Sequence, residues 1–335
     1  MILYQILYAL STFLLFIEKR YFQIFKLLLF SLIIILSTIR YQTGTDWDSY
    51  YYYYENINDD YYLKLDLAYV LINYIGKIVF NSYLFVQFFL VSCSLLLIDN
   101  VLTKIATNYR ISLIYFFCFS IFCLYPTRQY VALAFLLYAF SDYLLFKKLN
   151  IKSFLFLTIG CLFHWSAIFP AFILIFINAD KLYKKALLVI IVGSAFFLTL
   201  PQINLFYLTD YKDLDGVKNI SFSLGVIFRL ILSSYILVHW SYFKKSQAYE
   251  SVIILTVTFF NILFIGKPDV FGRILLYGYF FEIMLISSIY KHLTKKYLIN
   301  KVILIIVLLM VFFLRLYANI SNYYDSYVPY KIFIN

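Results

Sequence analysis

Stretches of about 20 apolar residues recur from Ile2 to Leu316 with short charged gaps between them, and no other feature restricts the fold as tightly. A hydrocarbon core about 30 Å thick takes roughly that many residues in a helix rising 1.5 Å per residue. An all-α polytopic integral membrane protein follows, with a single transmembrane domain over residues 1–335. A soluble domain of this length is excluded, because 64% of the chain is hydrophobic and only 13% is charged. Met1 to Ile17 has no positive leading region and no small-residue cleavage site, so it reads as a first span and not as a removable signal peptide.

The net charge of +11 does not point to nucleic acid, since the 28 Lys and Arg are dispersed between apolar segments and never form a basic arm. Cys93, Cys118, Cys123 and Cys161 lie in apolar stretches without metal-ligand spacing and read as small core residues. No cofactor or metal is implied.

Orientation is read from the basic clusters, which short cytoplasmic loops retain. Lys19/Arg20/Lys26, Lys104/Arg110, Lys147/Lys148/Lys152, Lys181/Lys184/Lys185, Lys244/Lys245 and Lys291/Lys295/Lys296/Lys301 are placed inside. The segments bearing Asp46, Asp48, Glu55, Asp59 and Asp60, and Asp210, Asp213 and Asp215, are placed outside, with the tail after Asn319. Parity then makes two segments short of a full crossing. Residues 66–82 become an interfacial helix closing an outer loop region of 40–82, and 153–178 become a re-entrant helix pair bent between His164 and Pro170. A further outer loop covers 204–220. Roughly ten spans remain, near 2–17, 24–39, 83–98, 111–126, 130–146, 186–203, 222–241, 251–266, 273–290 and 302–318, with both termini outside. No internal repeat is visible, which speaks against a transporter.

Several residues break this charge pattern. Arg40, Arg128 and Arg273 fall on the outer face, where a planar fork of donors suits phosphate oxygens. Asp46 and Asp48 stand in the polar loop after Arg40, with Gly44 free to take a positive φ; these carboxylates suit orienting a sugar hydroxyl, taking a proton or holding a cation. His164 is an ionisable group at membrane depth, suited to accepting a hydroxyl proton or to donating a hydrogen bond while neutral. Glu282 lies inside a span, nine residues beyond Arg273 and off its face; Arg229 and Arg315, near the outer ends of other spans, are candidates for neutralising it, and the sequence does not identify its partner.

In their order, these residues resemble the EpsG-type family of Wzy-like polysaccharide polymerases. The resemblance runs from about residue 40 to 290. It is carried by Arg40-x-x-x-Gly44-Thr45-Asp46-x-x-x-Tyr50, by Thr127-Arg128-Gln129, by Phe163-His164-x-Ser166-Ala167 ahead of Pro170, and by Gly272-Arg273 followed by Tyr277 and Tyr279. It implies a helical bundle like the type-B membrane glycosyltransferase fold, in the bacterial inner membrane, with its active site facing the periplasm. The implied reaction is inverting, metal-independent glycosyl transfer between undecaprenyl-diphosphate-linked oligosaccharides. A membrane lipid and a chain-length regulator protein are the other partners. On this resemblance Arg40, Arg128 and Arg273 hold the diphosphate and His164 or Asp46 is the base. Gly44, Thr45, Asp48, Tyr50, Gln129, Ser166 and Tyr277 contact substrate. The rival readings are an O-antigen ligase, a metal-dependent transferase acting on a lipid monophosphate sugar, and a flippase for the same lipid-linked glycan.

Overall fold

Apolar runs of this length have nowhere to satisfy their backbone except within themselves, and every regular element described is helical. The computed structural model describes residues 1–57, 66–123, 127–178, 224–263, 277–278, 281–296, 300–322 and 324–332. The helices are α1 (Ile2–Phe13), α2 (Lys19–Ile39), α3 (Trp47–Glu55), α4 (Leu67–Ile78), α5 (Tyr83–Ile105), α6 (Tyr109–Phe119), α7 (Thr127–Phe146) and α8 (Ile151–Phe163). After a 3-10 turn at Trp165–Ala167 come α9 (Ile168–Asn178), α10 (Leu224–Val238), α11 (Trp240–Ser246), α12 (Ala248–Leu263), α13 (Phe281–Lys296), α14 (Lys301–Asn322) and α15 (Tyr324–Tyr327).

Four of the described helices, within Lys19–Ile39, Tyr83–Ile105, Arg128–Phe146 and Lys301–Ser321, are long and apolar enough to cross a membrane. The chain therefore spans the membrane. Others fall short of the expected spans. The stretch 111–126 was expected to cross as one helix, but α6 ends at Phe119. Ile121, Phe122 and Cys123 then take φ values of 48°, 54° and 65°, a left-handed run that bulky side chains resist. It is held by the Cys123 N–H on Ser120 Oγ at 3.3 Å and by Ser37 Oγ on the Phe122 carbonyl at 3.2 Å. The expected span 186–203, the loop 204–220, the residues Asp59 and Asp60, and Arg273 lie outside the described residues.

Helices α6 and α7 form the centre. Every residue of α6 from Ile111 to Phe119 is buried, as are almost all residues of α7 between Gln129 and Tyr143. Around them pack α5 and α8 on α7, and α13 and α14 on α6. The outer helices turn apolar faces outward: Ile2, Ile6, Leu10 and Phe13 on α1, Leu27, Leu28 and Ile35 on α2, Ile306, Met310 and Leu314 on α14. Exposed apolar stripes of this kind are what a lipid solvent requires.

Polar groups collect in two layers at opposite ends of the helices. In one, Arg110 Nη1 donates to the Leu15 and Ile17 carbonyls at 3.2 and 2.8 Å, satisfying the chain just past α1 with a cation where the helix dipole favours one. Lys26 pairs with Asp99 at 3.0 Å, Lys104 with Asp142 at 3.4 Å, and Ser153 Oγ donates to Asp142 at 3.1 Å. Asn108 and Asn150 cap α6 and α8 there, accepting the N–H of Ile111 and Ser153.

Among the described residues, one charge cluster sits between the layers. Glu282, fully buried, pairs with Arg229 and, at 3.2 Å, with Arg315, and accepts the Tyr115 hydroxyl at 2.6 Å. Both arginines named from sequence as its candidates are thus its partners. Groups so deep persist only when paired.

Candidate active site

The second layer is built around the start of α7. Arg128 is the second residue of that helix, and its Nη1 reaches Asp66 Oδ2 at 3.3 Å. Its guanidinium lies over the rings of Tyr50 and Tyr69, 5.0 Å from each centroid. Both side chains of the ion pair are largely buried, at 16% and 10% exposure, so the pair is screened little by solvent. Arg128 Nε is buried and has no hydrogen-bond partner among the described residues.

Asp66 does more than neutralise Arg128. Its Oδ1 accepts the backbone N–H of Trp165 at 2.9 Å, the first residue of the 3-10 turn. One carboxylate therefore joins the start of α7 to the break after α8. That break exists because His164 is extended, at φ −160° and ψ 120°, and leaves the helix. Its depth is set by close packing of α8 on α7: a Cβ at Gly160 would meet the Ala132 carbonyl oxygen at 3.1 Å. Pro170 falls in the first turn of α9, where a missing N–H costs least.

The turn presents a buried polar chain. Ser166 N–H donates to His164 Nδ1 at 3.3 Å, and Ser166 Oγ lies 2.7 Å from the same nitrogen. Ser166 Oγ is also 3.1 Å from the Tyr277 hydroxyl, which Gln129 in turn hydrogen-bonds. His164, Ser166, Gln129 and Tyr277 are each at most 5% exposed.

The loop after α2 forms the other flank. Arg40 is 3% exposed and donates from Nε to Gln87 Oε1 at 2.9 Å, while its carbonyl accepts the Trp47 indole N–H at 3.2 Å. Gly44 takes φ 106°, and its N–H donates to the Ser326 carbonyl at 2.7 Å. Tyr41 N–H donates to the Lys331 carbonyl at 2.9 Å and Tyr4 Oη to the Tyr327 carbonyl at 2.8 Å, so the tail 324–332 straps this loop. Thr45 and Asp48 are exposed, and Asp46 is half-buried. Tyr50 donates to Asp46 Oδ2 at 3.3 Å; burial pushes its phenol above the ordinary value, which keeps that proton on the tyrosine.

Arg128, Gln129, His164, Ser166, Tyr277, Tyr50 and Asp46 are therefore linked through one network, from Asp46 by way of Tyr50, Arg128 and Asp66 to the His164 turn. Arg40 lies on the far side of the tyrosines, beside Tyr83, whose ring packs on Trp47 and Tyr54. Arg273 and Tyr279 are outside the described residues. Asp66 was missed from sequence. Its only signal is a carboxylate placed directly before an apolar helix, and its two partners lie far along the chain, at Arg128 and Trp165.

Compared with known proteins, residues 23–332 match the family model described as the EpsG family. Neither the curated proteins nor the solved structures contain a match.

Proposed function

This chain belongs to the EpsG family, and from that premise we propose that it is a polysaccharide polymerase of the bacterial inner membrane. It joins repeat units carried on a lipid diphosphate, of the undecaprenyl type, by inverting and metal-independent glycosyl transfer on the periplasmic face. A hydroxyl of one lipid-linked repeat unit attacks the anomeric carbon of the growing glycan, and the lipid diphosphate departs.

The observation that carries this reading is the Arg128 layer itself. A guanidinium with a buried, unsatisfied Nε is held by Asp66, whose other oxygen holds the turn that carries the buried His164, and it lies over Tyr50, which donates to the half-buried Asp46. Cations fixed where a diphosphate leaves stabilise the charge as it develops. The stretch of α7 from Arg128 to Asp142 is about 21 Å long at 1.5 Å per residue, less than the roughly 30 Å hydrocarbon core. At least one polar layer is then recessed, where a lipid-linked substrate arrives from the side. Arg40 extends the cationic rim, and Arg273 is assigned the same role. Thr45, Asp48, Tyr50 and Gln129 line the sugar path.

The opposite layer gathers Lys26, Lys104 and Arg110, which favours putting it in the cytoplasm. Helix α4 is tied at both ends to the Arg128 side, through Asp66 to Arg128 and through Lys77 to Glu55 at 2.9 Å. That supports reading 66–82 as an interfacial helix, as the break at His164 supports a re-entrant pair over 153–178.

Deletion of the gene in its native strain tests the proposal. The expected result is collapse of long surface polysaccharide to single repeat units on their acceptor. Unchanged polymer length overturns it, and loss of all repeats favours the flippase.

A further inference from the structure

A backbone N–H has only a hydrogen to offer, so the nitrogen it points at must present a lone pair. The Ser166 N–H points at His164 Nδ1, 3.3 Å away. A neutral imidazole carries one hydrogen, and with Nδ1 committed as acceptor that hydrogen is on Nε2. The rest of the chain has one consistent polarity. Ser166 Oγ–H donates to Nδ1 at 2.7 Å, and Tyr277 Oη–H in turn donates to Ser166 at 3.1 Å. Reversing it would drive an Nδ1–H into the Ser166 N–H. Ser166 is fully buried and His164 is 5% exposed, so water does not reorder these bonds.

We propose that His164 serves the reaction as a hydrogen-bond donor through Nε2–H, and that Asp46, not His164, takes the acceptor's proton. This rests on the polymerase reading above. Nε2 in this tautomer has no lone pair for a hydroxyl proton, but it suits an oxygen of the departing diphosphate. Asp66 is unsuited to the proton, because each of its oxygens already accepts a hydrogen, from Arg128 and from Trp165. Asp46 is half-buried and holds the Tyr50 hydroxyl on Oδ2. In the step, the acceptor oxygen bonds to the anomeric carbon as the bond from that carbon to the diphosphate oxygen breaks. The electron pair leaves on the diphosphate, steadied by Arg128 and His164 Nε2–H, and the acceptor's hydrogen ends on the Asp46 carboxylate.

The two roles separate by substitution. The side-chain N–H of glutamine falls near the place of Nε2–H, whereas alanine offers no donor. The assay uses the full-length protein in proteoliposomes, fed lipid-linked repeat units extracted from the deletion strain. His164→Gln should keep kcat within about ten-fold of the parent and His164→Ala should lose about a hundred-fold, the size of one hydrogen bond to a charged group. Loss of about a hundred-fold or more in both variants at normal membrane abundance would overturn the inference. So would a low-pH limb of kcat/KM that is present in the parent and absent in His164→Gln. A second measurement needs no variant to be active: nitrogen NMR of the histidine-labelled parent, which has 3 His, with the His164 signals assigned by their loss in His164→Gln, should show that imidazole hydrogenated at Nε2 only. Hydrogen on Nδ1 would refute the assignment. Should the parent fail to lengthen chains from these units, the polymerase reading itself falls.

Discussion

Asp66 and Arg128 form an ion pair at 3.3 Å that is also a mechanical joint, because the second oxygen of the same carboxylate holds the Trp165 N–H at 2.9 Å. The start of α7 and the end of α8 are locked through one side chain. Removing it releases the diphosphate-binding candidate and the histidine together.

Asp66→Ala is accordingly expected to lower chain lengthening more than a hundred-fold. It should also cost about 3 kcal/mol of stability, since it leaves Arg128 buried without its counter-charge. Arg128→Lys should be nearly as damaging to activity, because a point charge does not reproduce a fork that meets Asp66 and two tyrosine rings. The polysaccharide ladder of each single variant and of the double variant measures this. A double variant no worse than Asp66→Ala marks one shared unit, and additive losses would separate the two residues.

Glu282→Gln strands two guanidinium groups in the interior, and about 3 to 5 kcal/mol of destabilisation is expected. Adding Arg315→Met should recover part of it. Thermal unfolding in detergent reads both effects, and an unshifted Tm in Glu282→Gln would mean that the triad contributes nothing net.

Truncation after Asn322 removes the acceptors at Tyr327, Ser326 and Lys331 that hold Tyr4, Gly44 and Tyr41. The loop bearing Arg40 and Asp46 should loosen, with faster protease cleavage between residues 40 and 50 and shorter polymer. Intact protection of that loop would show that Trp47 and its aromatic neighbours suffice to hold it.

Ser49→Cys and Lys148→Cys report the two faces, as both positions are exposed and lie at opposite layers. An impermeant thiol reagent added outside intact cells should label Ser49→Cys and spare Lys148→Cys. The reverse pattern would invert the proposed orientation.

Much of this was legible in one dimension. The helical class follows from apolar runs too long for any soluble core, and the EpsG resemblance rested on Arg40, Gly44, Arg128, His164 and Ser166 in that order. Glu282 and its candidates Arg229 and Arg315 were picked out because an intramembrane charge must be compensated, and compensation needs no coordinates to be expected. Span boundaries were less legible. Hydropathy could not show that α6 stops at Phe119, because the left-handed turn that follows is as apolar as the helix before it.

Composition and order alone determined that this chain dissolves in lipid and carries its chemistry in a handful of polar residues, since transfer of apolar surface and the cost of unpaired charge depend only on what the residues are. Which partner each polar group takes was decided by the tertiary structure. Asp66 reaches Arg128 and Trp165, and Ser166 reaches the His164 ring, because hydrogen bonds form over about 3 Å between atoms that the chain keeps 62 and 99 residues apart or only 2.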